Sequence, residues 1–195
     1  MTNTIPSAAV FEDEALRWLP DVMRFALALT RDQAAAEDLV QDTFLMASQA
    51  WHQFQAGTDA RAWLFTIARH RFYRVQQRNE RQVATEDAEL ESLASASLAS
   101  QQAAGLTEKL ERGALREAIR TAMQSLPTVY REVAVLVDWH DQPYETVAQI
   151  LGVPIGTVRS RLFRARRLLQ EALAVHAEDA GLGTRRPRPT EGSCS

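Results

Sequence analysis

The segment Tyr144 to Leu169, YETVAQILGVPIGTVRSRLFRARRLL, constrains the chain more than any other, because its glycine and its apolar spacing admit one local arrangement. Gly152 sits where two short helices must turn. Ala148 falls at the small position where they cross, with Val147, Leu151, Val153 and Val158 as the apolar contacts between them. That is the pattern of a helix-turn-helix module. At 100° per residue, the second helix places Val158, Leu162, Ala165 and Leu169 on one stripe. Gly156, Arg159, Ser160, Phe163, Arg164 and Arg167 lie on the other.

That outward face is basic and carries one aromatic ring. Arginine forks match guanine edges or phosphates, and a phenylalanine with no core to enter packs on thymine methyls in a major groove. The alternative is a solvated basic helix whose Phe163 packs on a neighbouring helix. A solvated face ordinarily mixes charge signs, and this one carries a single sign.

The rest of the chain sets the context. With 195 residues, of which 46% are hydrophobic, it can support two small domains with cores. The formal net charge is −3, yet residues 61–81 and 152–170 are each basic within acidic surroundings. A net acidic chain attracts polyanions poorly through its overall field, so the two basic blocks are expected to reach nucleic acid with the help of a partner. Its basic residues are arginines apart from Lys109. The single cysteine, Cys194, excludes an internal disulfide and a cysteine-built zinc site. No apolar run approaches the length of a membrane span and the N-terminus lacks a signal-peptide pattern, so a cytoplasmic location without membrane insertion is expected.

Periodicity predicts an all-α protein of two small helical domains joined by a flexible acidic linker. The first covers 11–81, with helices near 11–29, 34–52 and 59–80 and an N-cap at Thr58 or Asp59. Residues 82–107 are rich in Ala, Ser and acids and read as a linker or a weak helix. The second domain covers 108–174, with breaks at Ser125 to Pro127 and at Asp141 to Pro143, and 175–195 is expected to be a disordered tail.

Two further faces stand out. On the helix from Asp59, Leu64, Ala68, Phe72 and Val75 form the expected buried stripe, while Thr66, Arg69, His70, Tyr73 and Gln77 face away and Trp63, Arg74 and Arg78 flank them. Aromatics interleaved with arginines suit unpaired bases, which stack on rings while the backbone is held electrostatically. The competing reading puts Trp63 and Tyr73 in the core of a small domain. On the helix over 34–52, Leu39, Val40, Thr43, Met46, Ala47 and Ala50 are expected inside, leaving Glu37, Asp38, Gln41, Asp42 and Leu45 outside. A leucine ringed by acids has the layout of a protein-contact anchor.

Taken in order, AEDLVQDTFLMA at 36–47, FQAGTDARAWLFTIARHRFYR at 54–74 and GTVRSRLFRAR at 156–166 resemble the extracytoplasmic-function sigma factors, two-domain initiation subunits of bacterial RNA polymerase. The resemblance implies that Asp38, Gln41, Asp42 and Leu45 meet core RNA polymerase. It implies that Phe54, Trp63, Arg69, His70, Tyr73 and Arg74 handle minus-10 promoter DNA as a single strand. Arg159, Ser160, Phe163, Arg164 and Arg167 would read the minus-35 duplex. Its partners would be core polymerase, promoter DNA and a separate anti-sigma factor. No catalytic residue, metal, cofactor or small-molecule substrate is implied.

Two other classes would place different demands on the sequence. A free-standing helix-turn-helix regulator, or a sigma-like decoy that only titrates an anti-sigma factor, would need the second domain but not the 36–47 surface. An enzyme such as a recombinase would need a catalytic pattern, and neither HExxH, a glycine-rich phosphate loop nor a nucleophile elbow is present. Asp138, His140 and Asp141 fall in an expected turn, where polar residues are ordinary.

Overall fold

The structure is a computed structural model and describes residues 8–55, 57–86 and 108–179. Every regular element among them is helical. Helices α1 (Ala8–Ala15), α2 (Leu19–Thr30), α3 (Gln33–Ala50) and α4 (Ala60–Glu86) form one group, and α5 (Glu108–Ser125), α6 (Thr128–Ala134), α7 (Tyr144–Leu151) and α8 (Ile155–Asp179) form the other. A 3-10 turn at Leu16–Trp18 divides the helix expected over 11–29, immediately before Pro20 of α2. Proline is tolerated there because its missing N–H lies in the first turn, where no intrahelical partner exists.

The first group closes on the predicted stripes. Val22, Phe25, Ala26 and Leu29 of α2 are buried, as are Ala36, Leu39, Val40, Thr43 and Ala47 of α3 and Leu64, Phe65, Ala68 and Phe72 of α4. Met46 and Ala50 are only partly buried, and Val75 is exposed at the edge of an open cleft that α4 shares with Thr30, Ala35 and Asp38. Caps fix where the helices start. Asp32 Oδ1 accepts from the Ala35 amide at 2.8 Å, and Asp59 Oδ1 accepts from the Ala62 amide at 3.1 Å, which assigns the α4 cap to Asp59. Arg31, at φ 61°, ends α2 in the left-handed conformation.

In the second group α7 ends at Gly152, whose φ of 62° is the left-handed turn expected of it. Val147, Leu151, Val158, Leu162 and Ala165 are buried between α7 and its neighbours, as the spacing predicts. Between α6 and α7, Val135–Trp139 winds as a π-helix, and the His140 amide bonds back to the Val135 carbonyl at 3.0 Å. The wider turn leaves Trp139 exposed and carries His140 into the interior.

Two boundaries differ from expectation. Helix α4 continues to Glu86, into the segment read as linker, and α8 continues to Asp179, beyond the start of the expected tail. In both cases a helix already anchored by packing extends cheaply by one hydrogen bond per residue. The remaining linker and tail expectations, for 87–107 and 180–195, lie outside the described residues.

The two groups pack directly on one another. Arg131, 1% exposed, projects from α6 to the C-terminal end of α2. It donates to the carbonyls of Ala28 and Leu29 in one group and to Leu126 (2.7 Å) and Gln124 (3.4 Å) in the other. Helix C-termini carry unsatisfied carbonyls and partial negative charge, so one guanidinium caps two helices from different groups. Burial and the nearby Arg31 lower its pKa to about 10, which leaves it charged at neutral pH.

Candidate nucleic-acid and polymerase interfaces

The α8 face is presented to solvent. Phe163 is 71% exposed and packs on no neighbouring helix, which removes the bland alternative for that ring. Arg159, Ser160, Arg164 and Arg167 are exposed around it. Their tethers are light: Arg164 Nη1 donates to the Tyr130 hydroxyl at 3.4 Å, and Arg167 Nε to Glu171 at 2.8 Å, one helical turn away. The other two arginines of the helix are structural. Arg166 pairs with Asp138, and Arg161 turns inward toward Glu132.

The α4 face is built differently. Arg69, His70, Arg71, Tyr73, Arg74 and Gln77 line an open groove of about 590 Å³, floored by Met46 and Ile67. His70 and Arg74 are exposed. Arg69 and Tyr73 are already engaged. Arg69 Nε donates to Glu132 Oε2 at 3.0 Å, the Tyr73 hydroxyl donates to the same oxygen at 3.3 Å, and the guanidinium stacks 4.7 Å from the tyrosine ring centroid. Burial, followed by the Glu132 carboxylate, raises the Tyr73 pKa. Burial also raises that of Glu132, against the pull of Arg69 and Arg161.

Phe54 needs correction. It was expected on DNA, but it is buried and stacks on Trp51 with centroids 4.5 Å apart. Trp51, Trp63, Phe54 and Phe11 form an aromatic cluster that seals one end of the first group. Trp63 keeps a partly exposed edge, although its ring packs 5.4 Å from Phe54 and 5.7 Å from Trp51. The loop before α4 begins with Phe54 drawn in between the tryptophans.

On α3, Leu45 is 55% exposed, with Asp38 and Gln41 exposed beside it. Asp42 is partly committed elsewhere, since it accepts from Arg71 of α4 at 2.7 Å and ties the two helices together.

Sequence reasoning missed the junction itself. Glu132 is buried, holds Arg69 and Tyr73 of α4, and lies 3.6 Å from Arg161 of α8. At the other end of the junction, Arg61 donates to the His140 carbonyl at 2.7 Å, and Asp21 lies 3.3 Å from His140 Nδ1. His140 also packs against Phe65, with ring centroids 4.8 Å apart. Burial and the neighbouring Arg61 lower the His140 pKa to about 4, so it is neutral at physiological pH. The one available signal was the charged pair Arg131–Glu132 inside the apolar run VYREVAVLV, since such residues are buried only when partnered. Among the described residues, no group of three or more His, Cys, Asp or Glu could hold a metal ion, and no helix is long and apolar enough to cross a membrane.

The geometry therefore defines a helical protein of two groups, with a basic, exposed helix face on one and a basic, aromatic groove on the other. Comparison with known proteins gives the class. Residues 15–82 match Sigma-70 region 2, and residues 116–169 match Sigma-70, region 4. The chain is 36% identical over 178 residues to the ECF RNA polymerase sigma factor EcfG of Rhodopseudomonas palustris, covering 91% of this chain and 93% of that protein. It is 35% identical over 159 residues to the ECF RNA polymerase sigma factor SigC of Mycobacterium tuberculosis, covering 81% and 78%. Among solved structures, the sigma factor RpoE in complex with the anti-sigma factor NepR from Bartonella quintana aligns with a TM-score of 0.68. It is 34% identical and covers 85% of this chain and 97% of that one. CnrH in complex with the cytosolic domain of CnrY, at 22% identity, shares the fold (TM-score 0.58, covering 87% and 90%). The chain belongs to the ECF RNA polymerase sigma factors. Sigma factors as a family are not enzymes.

Proposed function

We propose that this chain joins core RNA polymerase and divides promoter recognition between its two helical groups. The face of α8 reads the minus-35 duplex through Arg159, Ser160, Phe163 and Arg164, with Arg167 on phosphate. The groove of α4 takes the unpaired minus-10 strand through Arg69, His70, Tyr73 and Arg74, with the exposed edge of Trp63 at its margin. Asp38, Gln41 and Leu45 dock on core polymerase, with Asp42 supporting that surface from its ion pair with Arg71. The chain acts in the cytoplasm and catalyses nothing itself. An anti-sigma factor controls it, a reading supported by its likeness to a sigma factor solved with NepR.

The observation that carries this reading is the single-signed face of α8 with Phe163 standing 71% exposed at its centre. One exposed ring is ordinary by itself; what gives it weight is the set of arginines around it with no acid among them on that face, which selects a polyanionic partner. The test is transcription by core polymerase, with and without the purified chain, on a pool of genomic fragments. Transcripts whose start sites share upstream elements, and that disappear with Phe163→Ala, are expected. Start sites unchanged by adding the chain would overturn the reading.

A further inference from the structure

A cavity of about 460 Å³ opens where the turn between α2 and α3 meets α5, and it shares no lining residue with the α4 groove. Its walls carry three arginines, Arg31, Arg120 and Arg131, against one acid, Asp32. That acid is engaged by its own helix, since Oδ1 accepts from the Ala35 amide. Leu27, Ala28 and Met123 supply an apolar wall.

Two of the guanidiniums converge on one acceptor. Arg31 Nη2 donates to the Leu126 carbonyl at 3.2 Å, and Arg131 Nη1 donates to the same oxygen at 2.7 Å. Like charges held this close repel, and Arg31 accordingly adds to burial in lowering the Arg131 pKa. The other hydrogen bonds of Arg131 go to the carbonyls of Ala28, Leu29 and Gln124 and to the Thr128 hydroxyl. Carbonyls and hydroxyls offer dipoles but no net charge, so two positive charges stand uncompensated beside the cavity. Arg120 adds a third. It is exposed and pairs with Glu117 on its own helix, with Nε 2.9 Å from the carboxylate. Exposed pairs of this kind are worth little, so this guanidinium can turn to a stronger acceptor. The cleft between α2, α3 and α4 has the opposite balance, with Asp38 and Asp42 against Arg71. Excess positive charge is therefore particular to the first cavity and not a general feature of an acidic chain.

We propose that this cavity binds a small organic phosphate, its phosphate held by Arg31 and Arg120 in the field of Arg131 and its organic part lying against Leu27, Ala28 and Met123. Arginine forks match phosphate oxygens bidentately, and cavities of roughly 300–1,000 Å³ suit small ligands. Arg131 contributes charge rather than contact, because its donors are already bonded to the helix ends. The site stands apart from promoter recognition and does not rest on it.

The experiment titrates the full-length chain by calorimetry, in phosphate-free buffer, with ADP, phenyl phosphate and inorganic phosphate. The first two present a phosphate and an organic part; the third presents the anion alone. ADP or phenyl phosphate is expected to bind at least about tenfold more tightly than inorganic phosphate, as the apolar wall is covered. Arg120→Gln and Arg31→Gln should each weaken that binding by about tenfold, the loss of one charge-assisted contact. Arg120 is exposed, so its variant carries the test if Arg31→Gln fails to fold. Arg17→Gln, which removes an exposed arginine beside Trp18, should leave the affinity unchanged. Binding of neither organic phosphate, or unchanged binding in the folded arginine variants of the cavity, overturns the site. Equal affinity for inorganic phosphate and for both organic phosphates overturns an organic ligand.

Discussion

The faces of α4 and α8 carry the same sequence signature, arginines around an aromatic ring, and the structure treats them in opposite ways. Phe163 and its arginines stand clear of the protein, with ties no stronger than a long hydrogen bond to Tyr130 and a pair within the helix. Tyr73 and Arg69 are held by a carboxylate from the other group. Helical periodicity states which way a side chain points from its own axis; it says nothing about what arrives to meet it. The difference between the two faces is therefore one of availability rather than of chemistry.

The largest expected effect falls on what holds the groups together. Arg131→Ala leaves the buried carbonyls at the ends of α2 and α5 without their shared donor, at a cost of about 3–4 kcal/mol. Urea unfolding measures it. A loss below about 1 kcal/mol would mean that water replaces the guanidinium, and that the junction contributes little to the difference between the faces.

Next is the free face. Arg164→Ala should lose roughly 1–3 kcal/mol of binding at the preferred minus-35 sequence and blur base preference there. Arg167→Ala should weaken matched and scrambled duplexes alike. Equal losses on both duplexes for Arg164→Ala would reassign it to phosphate.

The junction also predicts a pH dependence. An unfolded chain binds a proton on His140 near its ordinary pKa of about 6.5, whereas the folded chain resists until about 4. The folded state's advantage is therefore complete above about pH 6.5 and declines as pH falls to about 4, by on the order of 3 kcal/mol. In His140→Phe this component should vanish. Subtracting the variant's pH profile from that of the wild type removes the opposing contribution of Glu132, whose pKa is raised and which is common to both. A flat difference profile would show that His140 leaves its buried position before it titrates.

The smallest effect on the fold is at α3. Leu45→Glu should change thermal stability within about 0.5 kcal/mol, because the side chain is exposed, yet it should abolish capture of core polymerase. Full capture by a folded variant would remove Leu45 from the interface. Asp42→Asn is the sharper companion, since it tests whether the pair with Arg71 supports that surface from within.

Much of this was legible in the chain. The stripe Val158, Leu162 and Ala165, the turn at Gly152 and the exposure of Leu45 followed from spacing, because short-range geometry alone decides them. Phe54 was misjudged because its burial depends on Trp51 and Trp63, which meet it only after the loop folds. Val75 was misjudged because α2 and α3 leave an open cleft beside it, which periodicity along its own helix cannot foresee. Arg131, Glu132 and His140 were not recognisable as a junction, because their partners in the first group lie 59 or more residues away in sequence.

Hydroxyl-radical labelling of the free chain, read residue by residue with mass spectrometry, tests the contrast between the two faces most directly. Phe163 and Tyr73 are both reactive aromatic side chains, so their labelling reports accessibility rather than chemistry. In the wild-type chain, Phe163 should label strongly and Tyr73 weakly; in Glu132→Gln, Tyr73 labelling should rise while the second group's core stays protected. Tyr73 labelling as strongly as Phe163 in the free wild-type chain would contradict the account.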